Sequence, residues 1–442
     1  MRTRQKISAW ICLIGAALLL TGCAVGTSVD NLLKPPQLSV EQEQIYQALQ
    51  NAVGNNITLQ YPRSGDNLSA FIVCDMDDDG EDEAMVFYKK TGLTTAENNL
   101  RLNVLDQIDD GWMSVCDRPA DGGEIERVMI SRLGDAPENC ILIGYSLVDQ
   151  SARSLTVYAY QNGSLDVRLS ESYAMFDRYD LNQDGTEELL ILQSAGANTP
   201  AKAAVYRPSA EGAYIKSELS FHSNFTEFSQ ILFGTPESKQ DPVPIFVDGA
   251  AGATTLQTEI LQYQSGTLQA VLDKEEDIAA TNRSAGYLTM DIDQDGIPEI
   301  PVQRTFPGYE QTASDQVRMT CWLTASENTL VQKYQGYFNL GEGVAFMLPM
   351  QWIDTVTAAV DSLTGDVVFY AYQAGAEDVT SGAELLRIGV AEDTDARDSR
   401  LDDGYTLLHS KGKAYYLMKV PDSIDSPLAM TQEELFYYIL FV

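Results

Sequence analysis

The sequence contains one nine-residue pattern three times: residues 75–83 read DMDDDGEDE, residues 180–188 read DLNQDGTEE, and residues 291–299 read DIDQDGIPE. Each copy follows the scheme D-x-[DN]-x-D-G-x-x-E and lies between two short apolar segments. The starts of the copies are 105 and 111 residues apart. Similarity within a chain at regular spacing is the signature of a repeat architecture. The three copies therefore predict a fold that is built from repeated units.

Two degenerate copies of the unit lie between the acidic segments. Residues 128–145 read VMISRLGDAPENCILIGY and residues 230–247 read QILFGTPESKQDPVPIFV, with strand-like flanks but no ladder of acidic side chains. When these copies are counted, the repeat length is about 45–58 residues, the length of one four-stranded propeller blade. Asn162-Gly163 stands between alternating apolar residues, which is typical of a hairpin turn.

Five units of strand, loop, strand and hairpin predict a mainly β fold. We expect a β-propeller of five four-stranded blades at residues 67–339, or of six blades if flanking segments contribute. A single four-stranded sheet exposes two edges and two apolar faces, and radial stacking of sheets buries those faces. An elongated β array and a pair of β-sandwiches are the alternatives. A sandwich would not repeat one loop motif at regular spacing, so the propeller is favoured.

The acidic segments have the composition of a calcium-binding loop. Side chains at positions one, three, five and nine can surround one point, glycine at position six permits a sharp turn, and the carbonyl at position seven adds an oxygen. About six oxygen ligands in irregular geometry suit calcium. We therefore expect up to three calcium ions with a structural role. The candidate side-chain ligands are Asp75, Asp77, Asp79, Glu83, Asp180, Asn182, Asp184, Glu188, Asp291, Asp293, Asp295 and Glu299, and the candidate carbonyl ligands are those of Glu81, Thr186 and Ile297.

Two other interpretations of the acidic segments compete with a calcium-binding loop. An EF-hand needs a glutamate at position twelve between two helices, but position twelve is Val86, Ile191 and Val302, each in a strand-like run. A solvated turn is the simpler alternative, because aspartate and glycine are common in turns. Three copies with identical internal spacing favour metal ligation over a solvated turn.

The acidic segments and their flanks resemble the FG-GAP/VCBS-type repeats of integrin-like propellers in bacterial surface proteins. The resemblance covers residues 67–339. It implies calcium ions in the loops between the first two strands of a blade. The second and fourth units depart from the pattern, so no ion is expected there.

The first 23 residues have the features of a secretion signal. Three basic residues precede an apolar run at residues 9–20, which is shorter than a membrane span. Residues 20–23 read LTGC and resemble the lipobox of bacterial lipoproteins. The resemblance implies a signal peptide at residues 1–23, acylation of Cys23 and an extracytoplasmic protein that is lipid-anchored to the cell membrane. An uncleaved N-terminal anchor is the alternative, and it places the rest of the chain on the same side of the membrane.

Two short segments are expected between the lipid and the repeats. Residues 24–38 have the composition of a tether. A capping box at Ser39 and Gln42 predicts a short helix at residues 39–54, which ends at Gly54 and docks on the propeller. The apolar face of this helix is expected to contain Tyr46, Leu49 and Val53.

The repeat stops near residue 341, and residues 341–442 predict a small α+β domain. Phe346, Pro349 and Trp352 match the opening of a C-terminal module that is found in clostridial-type exported proteins. This resemblance implies no particular chemistry. The aromatic residues of the segment are expected in its core.

Composition limits the partners and the chemistry. A formal charge of −35 excludes nucleic acid as a partner. The only histidines, His222 and His409, lie far apart in sequence, and no nucleotide-binding, zinc-protease or serine-hydrolase motif is present. The pairing of Cys74, Cys116, Cys140 and Cys321 stays open, since export permits disulfides and apolar surroundings favour buried thiols.

The function expected from the sequence is that of a non-catalytic binding module at the cell surface, with a cell-wall glycan or a surface protein as ligand. This expectation rests on the way propellers gather loops on one face. One alternative is an extracellular polysaccharide lyase or glycosidase. A deep cleft with two carboxylates outside the acidic loops would favour that enzyme. The other alternative is a purely structural envelope protein.

Overall fold

The computed structural model of the protein shows a mainly β chain whose antiparallel strands form six sheets. The predicted signal peptide, the acylation site at Cys23 and residues 24–37 of the predicted tether lie outside the described residues. No described helix is both long enough and apolar enough to cross a membrane. The structure describes residues 38–90, 100–108, 111–146, 153–236, 238–309, 317–326 and 328–442.

Four sheets follow one another after helix α1 (Val40–Val53). Sheet 1 contains β1 (Ile57–Leu59), β2 (Phe71–Cys74), β3 (Glu83–Lys90), β4 (Leu100–Ile108) and β5 (Gly111–Pro119). Sheet 2 contains β6 (Glu124–Ser131), β7 (Cys140–Ser146), β8 (Arg153–Gln161) and β9 (Ser164–Ser172). Sheet 3 contains β10 (Met175–Tyr179), β11 (Glu188–Gln193), β12 (Lys202–Pro208) and β13 (Tyr214–Ser220). Sheet 4 contains β14 (Phe228–Phe233), β15 (Pro244–Ala250), β16 (Thr255–Gln264) and β17 (Thr267–Ala270), and after helix α2 (Glu275–Ala280) the short strand β18 (Arg283–Ser284) pairs with β16.

Two more sheets complete the described chain. Sheet 5 contains β19 (Ile300–Thr305), β20 (Arg318–Ser326), β21 (Thr329–Asn339) and β22 (Val344–Met347). Sheet 6 contains β23 (Val356–Val360), β24 (Val367–Ala371), β25 (Glu384–Ala391), β26 (Thr406–Lys411) and β27 (Ala414–Lys419), with helix α3 (Thr394–Asp402) before β26 and helix α4 (Gln432–Phe436) after β27. The last strand, β28 (Ile439–Phe441), returns to sheet 5 and pairs with β22. Short 3₁₀ turns lie at Met350–Trp352 and Val379–Ser381.

The three acidic segments connect successive antiparallel strands. The first lies between β2 and β3, and the second lies between β10 and β11. The third precedes β19, where Met290 and Glu299 form an antiparallel bridge across it. The degenerate loops lie between β6 and β7 and between β14 and β15, in the corresponding places of their sheets. The local pattern of apolar run, polar loop and apolar run therefore specifies a strand hairpin in all five units.

The core lies between sheets that pack face to face in chain order. One buried cluster joins sheets 1 and 2, a second joins sheets 2 and 3, and a third joins sheets 3 and 4. The largest cluster joins sheets 4, 5 and 6, with Phe346, Trp352 and Phe369 at its centre. Burial of alternate side chains on both faces of each sheet explains the long apolar runs in the central strands.

Helix α1 covers the face of sheet 1 opposite the face that packs on sheet 2. It begins at the Ser39–Gln42 capping box and ends at Gly54. Ile45 and Leu49 are fully buried against sheet 1, and Tyr46 and Val53 pack at the edge of the same cluster. Among the described residues, no buried cluster joins sheet 1 to sheet 5 or sheet 6, and none of the sheets closes on itself.

Sheet 5 runs across the position at which the sequence repeat stops. β21 ends at Asn339 and pairs with β22, which lies inside residues 341–442. β22 then pairs with β28, so two strands of the predicted C-terminal domain belong to the sheet that follows the third acidic segment. Trp352 is fully buried in the core that sheets 5 and 6 share. The two parts are therefore joined by strand pairing as well as by packing.

Candidate metal sites in the acidic loops

The first (75–83), second (180–188) and third (291–299) acidic loops have the same backbone conformation. The glycine at position six has φ of 95°, 92° and 89° in the three loops. A residue other than glycine at position four also has positive φ. These residues are Asp78 at 67°, Gln183 at 58° and Gln294 at 61°. Residues other than glycine rarely adopt a backbone conformation with positive φ, so the surrounding contacts of the loop hold position four in this conformation.

The same backbone hydrogen bonds recur in every loop. The first-position aspartate accepts from the amides at positions five and six over 2.8–3.2 Å. The position-five aspartate accepts from the amide at position seven over 2.8–2.9 Å. Those position-seven amides belong to Glu81, Thr186 and Ile297, whose carbonyls the sequence proposes as ligands. The closing glutamate accepts from the amide at position two over 2.7–3.0 Å. These bonds hold the acidic side chains against their own loop and concentrate negative charge there.

The first acidic loop concentrates carboxylates around Glu83, while its one ion pair, Arg132 Nη2 to Asp78 Oδ2 over 2.6 Å, lies at the exposed position four among the described residues. Carboxylate oxygens of Asp75, Asp77 and Glu83 lie within 4.8 Å of one another. Glu83 is only 1% exposed, and one buried oxygen of Asp77 has no hydrogen-bond partner. Burial, together with the charges of Asp77, Asp106 and Asp79, raises the pKa of Glu83 to about 7 against the lowering effect of the hydrogen bond from the Met76 amide. Burial also raises the pKa of Asp77, and its neighbours Asp79, Asp75 and Asp106 act in the same direction. No described lysine or arginine forms an ion pair with these side chains.

The third acidic loop contains a lysine ammonium among its carboxylates. Lys333 Nζ lies 2.8 Å from Asp293 Oδ2, 2.5 Å from Asp295 Oδ2 and 2.7 Å from Glu299 Oε1. Tyr334 Oη donates to the same oxygen of Asp293 over 2.6 Å. Burial opposes ionisation of Asp293, but hydrogen bonds from Lys333 and Tyr334 prevail and lower its pKa. The pKa of the Lys333 ammonium is raised, since its hydrogen bonds to the carboxylates outweigh the opposing effect of burial.

The second acidic loop is held by an arginine and by its own asparagine. Arg207 Nη2 lies 2.6 Å from Asp184 Oδ2, and Arg207 Nε lies 3.5 Å from Glu188 Oε1. Asn182 Nδ2 donates to the same oxygen of Glu188 over 2.6 Å. Burial raises the pKa of Glu188 to about 7, although Arg207 lowers it. The four predicted side-chain ligand positions of this loop therefore hold three carboxylates and one amide, and the guanidinium of Arg207 contacts two of those carboxylates.

The structure brings some of the predicted ligands together more closely than others. In the first loop the close group is Asp75, Asp77 and Glu83, without Asp79. In the third loop it is Asp291, Asp293 and Asp295, and Glu299 is instead bonded to Lys333. The second loop forms no such group of three carboxylates within the described residues, because Asn182 takes the third position. Four neighbours escaped the sequence reasoning because they lie on later strands: Asp106, Arg207, Lys333 and Tyr334.

A polar cavity lies between the first strands of sheets 2, 3 and 4. Its volume is about 330 Å³, and its lining includes Arg127 on β6, Asp177 on β10 and Gln230 on β14. A second cavity of about 520 Å³ shares Arg153 and the start of β10 with the first. Two cations therefore face these cavities in a chain of strongly negative net charge.

The carboxylates of this cavity are ion-paired with arginines. Glu126 Oε1 lies 3.0 Å from Arg63 Nη1, and Asp177 Oδ1 lies 3.5 Å from Arg127 Nη2. Both carboxylates of the cavity lining thus have a guanidinium as their partner.

The described thiols and imidazoles do not form a catalytic group. Cys74, Cys116, Cys140 and Cys321 form no disulfide, and burial, with help from Glu83, raises the pKa of Cys74 to about 12. His222 pairs with Glu259 over 3.2 Å, and His409 stacks on aromatic rings in sheet 6. Neither imidazole has a described cysteine or serine partner that it could activate.

Comparison with known proteins adds little to these observations. No protein-family model and no curated protein matches the chain. The exotype rhamnogalacturonan lyase YesX aligns with 69% of this chain and 60% of its own, at 11% identity and a TM-score of 0.27. A hypothetical selenium-binding protein from Sulfolobus tokodaii aligns with 49% of this chain and 56% of its own, at 13% identity and a TM-score of 0.26. The chain thus spans less than two thirds of either structure, and likeness at this level supports no conclusion about function.

Proposed function

We propose that the chain is a lipid-anchored extracytoplasmic binding module, in which a calcium-stabilised β-propeller carries the ligand-binding surface. The first acidic loop is the observation on which the proposal rests. Asp75 and Asp77 converge on the buried Glu83, and no described lysine or arginine forms an ion pair with these three side chains. Such a group is repulsive unless a cation joins it. Calcium suits it best, because calcium accepts six to eight oxygens in irregular geometry.

The face-to-face packing of sheets 1 to 5 in chain order supports a propeller, although helix α1, and no described residue of sheet 5, packs on the second face of sheet 1. Consecutive sheets pack face to face, and the first strands of sheets 2, 3 and 4 line one cavity. The innermost strands of propeller blades line a central channel in the same way. An elongated array of sheets is the alternative. Small-angle X-ray scattering separates the two, because a compact chain of this length has a radius of gyration of about 22 Å and an array is longer.

The cavity between sheets 2, 3 and 4 supports a binding role, because polar and apolar side chains both line it. Arg153 donates one hydrogen bond to the Ala174 carbonyl and Gln230 donates one to the Thr289 carbonyl. The other N–H groups of the Arg153 guanidinium and the amide oxygen of Gln230 are the groups that we expect to bind a polar ligand. Hydroxyl-rich glycans and exposed polar protein segments both fit such a surface. A cell-wall glycan or a surface protein is therefore the proposed ligand.

Two measurements test the proposal. Calcium added to the chelated protein should raise its thermal unfolding midpoint, because an ion that binds only the folded state stabilises it. The rise should shrink when Asp77 is replaced with alanine. An unchanged midpoint at millimolar calcium would contradict the calcium site.

The binding role is tested on purified peptidoglycan with attached teichoic acid. Retention of the protein should fall in Arg153→Gln, which alters both cavities, and should persist in Arg397→Gln, which alters an exposed pair on α3. Absence of retention, together with absence of a cross-linked surface protein on intact cells, would favour the structural role.

A further inference from the structure

Sheets 1, 2 and 5 have a β-bulge at the same place in one hairpin each, namely β4–β5, β8–β9 and β20–β21. The extra residue is Val115 in β5, Arg168 in β9 and Lys333 in β21. The first strand of each hairpin is β4, β8 or β20. Where this strand faces the bulge on one side, it pairs on its other side with the residue that directly follows the closing position of the loop. Those partners are Ala84, Ile141 and Ile300. The three bulges are therefore equivalent in register, and we call this place the shared bulge.

The shared bulge delivers a cation to the loop in two of the three sheets. A bulge inserts an unpaired residue and re-aims its side chain. In sheet 5 this places Lys333 Nζ among three carboxylates of the third acidic loop. In sheet 2 it places Arg168 Nη2 3.1 Å from Glu138 Oε1, inside the degenerate loop between β6 and β7. The shared bulge thus places a positively charged side chain beside the carboxylates of two different loops.

In sheet 1 the same position carries no charge. Val115 is half-buried and packs against the core between sheets 1 and 2. The strand register also places Asp106 opposite the closing glutamate Glu83, because Ala84 pairs with Leu105. In sheet 3 the corresponding place opposite Glu188 holds Arg207, since Leu189 pairs with Tyr206. The first acidic loop therefore has an extra carboxylate where the second has a guanidinium.

We infer that the three acidic loops differ in the origin of their cation: the first binds the only calcium ion, with Asp106 as an added carboxylate, and Lys333 and Arg207 replace the ion in the third and second. The inference refines the proposed function and rests on its premise that the loops are cation sites. The third loop shows where a cation sits, because its backbone matches that of the first and an ammonium lies among its oxygens. A calcium ion could enter the third loop only by displacing that ammonium from three oxygens.

Counting the bound ions tests this inference. The full chain, solubilised in detergent and stripped with chelator, is titrated with calcium by isothermal calorimetry, with equilibrium dialysis at 1 mM free calcium as a second count. We expect one ion per chain. Lys333→Met, which keeps an apolar stem and removes the charge, should bind two ions. Lys333→Met combined with Arg207→Met should bind three.

A transplanted charge tests the role of the shared bulge directly. Val115→Lys should abolish calcium binding in the first loop, and Val115→Met, a matched uncharged control of similar length, should leave one ion bound. The double variant Val115→Lys/Lys333→Met should again bind one ion. In that variant Asp293→Asn, and no longer Asp77→Asn, should weaken binding at least tenfold.

The contribution of Asp106 has its own control. Asp106→Asn should weaken calcium binding about tenfold, which corresponds to about 1.4 kcal/mol. Asp82→Asn removes an exposed charge at position eight of the same loop, which is not a predicted ligand position, and should change binding less than twofold. If the two changes weakened calcium binding equally, Asp106 would act only through its long-range charge. That result would overturn its assignment as a ligand.

The outcomes separate this inference from the function on which it rests. Three ions in the unaltered chain, or one ion in Lys333→Met, would overturn the inference and leave the calcium sites standing. No calcium binding at all would overturn both. If Lys333→Met folds only in calcium, a calcium-dependent circular dichroism signal, absent from the unaltered chain, supports the inference equally well.

Discussion

Replacing Glu83 with glutamine is expected to stabilise the metal-free protein at pH 8 and to remove most of its response to calcium. Burial raises the pKa of Glu83 from its ordinary value of 4.5 to about 7. At about 1.4 kcal/mol per pH unit, keeping this buried group ionised at pH 8 costs the metal-free fold about 3 kcal/mol. Glutamine has nearly the same shape as glutamate and carries no charge. Its amide oxygen can still accept the hydrogen bond from the backbone amide of Met76. The free energy of unfolding should therefore rise.

The pH dependence follows from the same shift. Because the pKa of Glu83 is higher in the folded state than in the unfolded state, the folded protein binds the extra proton between pH 4.5 and about 7. The contribution of Glu83 to stability therefore grows as the pH falls through this interval and is lost as the pH rises through it. The difference in stability between Glu83→Gln and the unaltered protein should be largest at pH 8 and should vanish near pH 4.5.

The assay is urea unfolding in chelator and in calcium, followed by tryptophan fluorescence. Trp112 lies at the edge of the core between α1 and sheet 1 and reports on the sheet that contains Glu83. Calcium at a hundred times its dissociation constant should stabilise the unaltered protein by about 2.7 kcal/mol and the variant by much less. Glu81→Gln removes an exposed charge from the same loop and should change stability by less than about 0.5 kcal/mol. A metal-free Glu83→Gln protein that is less stable at pH 8 would refute this reasoning.

Three other changes have defined expectations. Arg283→Met leaves the buried carboxylate of Asp248, 2.8 Å away, without its cationic partner, and it should lower the free energy of unfolding in urea by about 3–5 kcal/mol. The control Arg63→Met removes an exposed ion pair and should lower that free energy by no more than about 1 kcal/mol. Phe369→Ala removes a fully buried ring that contacts four other aromatic rings, and thermal denaturation should show a loss of about 3–5 kcal/mol. Cys23→Ala should move the protein from the membrane fraction to the soluble fraction of a bacterial host, since acylation requires the thiol; an unchanged membrane fraction would favour the uncleaved anchor.

The features that are predictable from the sequence are those whose determinants are neighbours along the chain. Apolar runs on either side of each acidic segment specify the strand hairpins. The Ser39–Gln42 capping box specifies the start of α1. The sequence pattern does not predict the whole buried face of α1. Ile45, which is not part of the expected face, is buried beside Leu49, while Tyr46 lies at the edge of the same core.

The features that escape sequence reasoning depend on register between strands. Lys333 is 34 residues beyond the closing Glu299 of its loop, and Asp106 is 23 residues beyond Glu83, so no local spacing links either to a metal site. A bulge moves Lys333 into place, and single-sequence patterns do not reveal a bulge. The pairing of β22 with β28 is similarly remote, which is why the end of the repeat suggested a boundary that sheet 5 crosses.

The pairing of β22 with β28 sets an order of events during synthesis. About ninety residues separate the two strands, and they include all of sheet 6. At roughly 5–20 residues per second, β28 is made about 5–20 s after β22. Throughout that interval β22 has an unpaired edge, and an unpaired edge is a template for strands of other chains. The nascent chain therefore passes through a period of seconds in which protection from aggregation has to come from chaperones or from early folding of sheet 6.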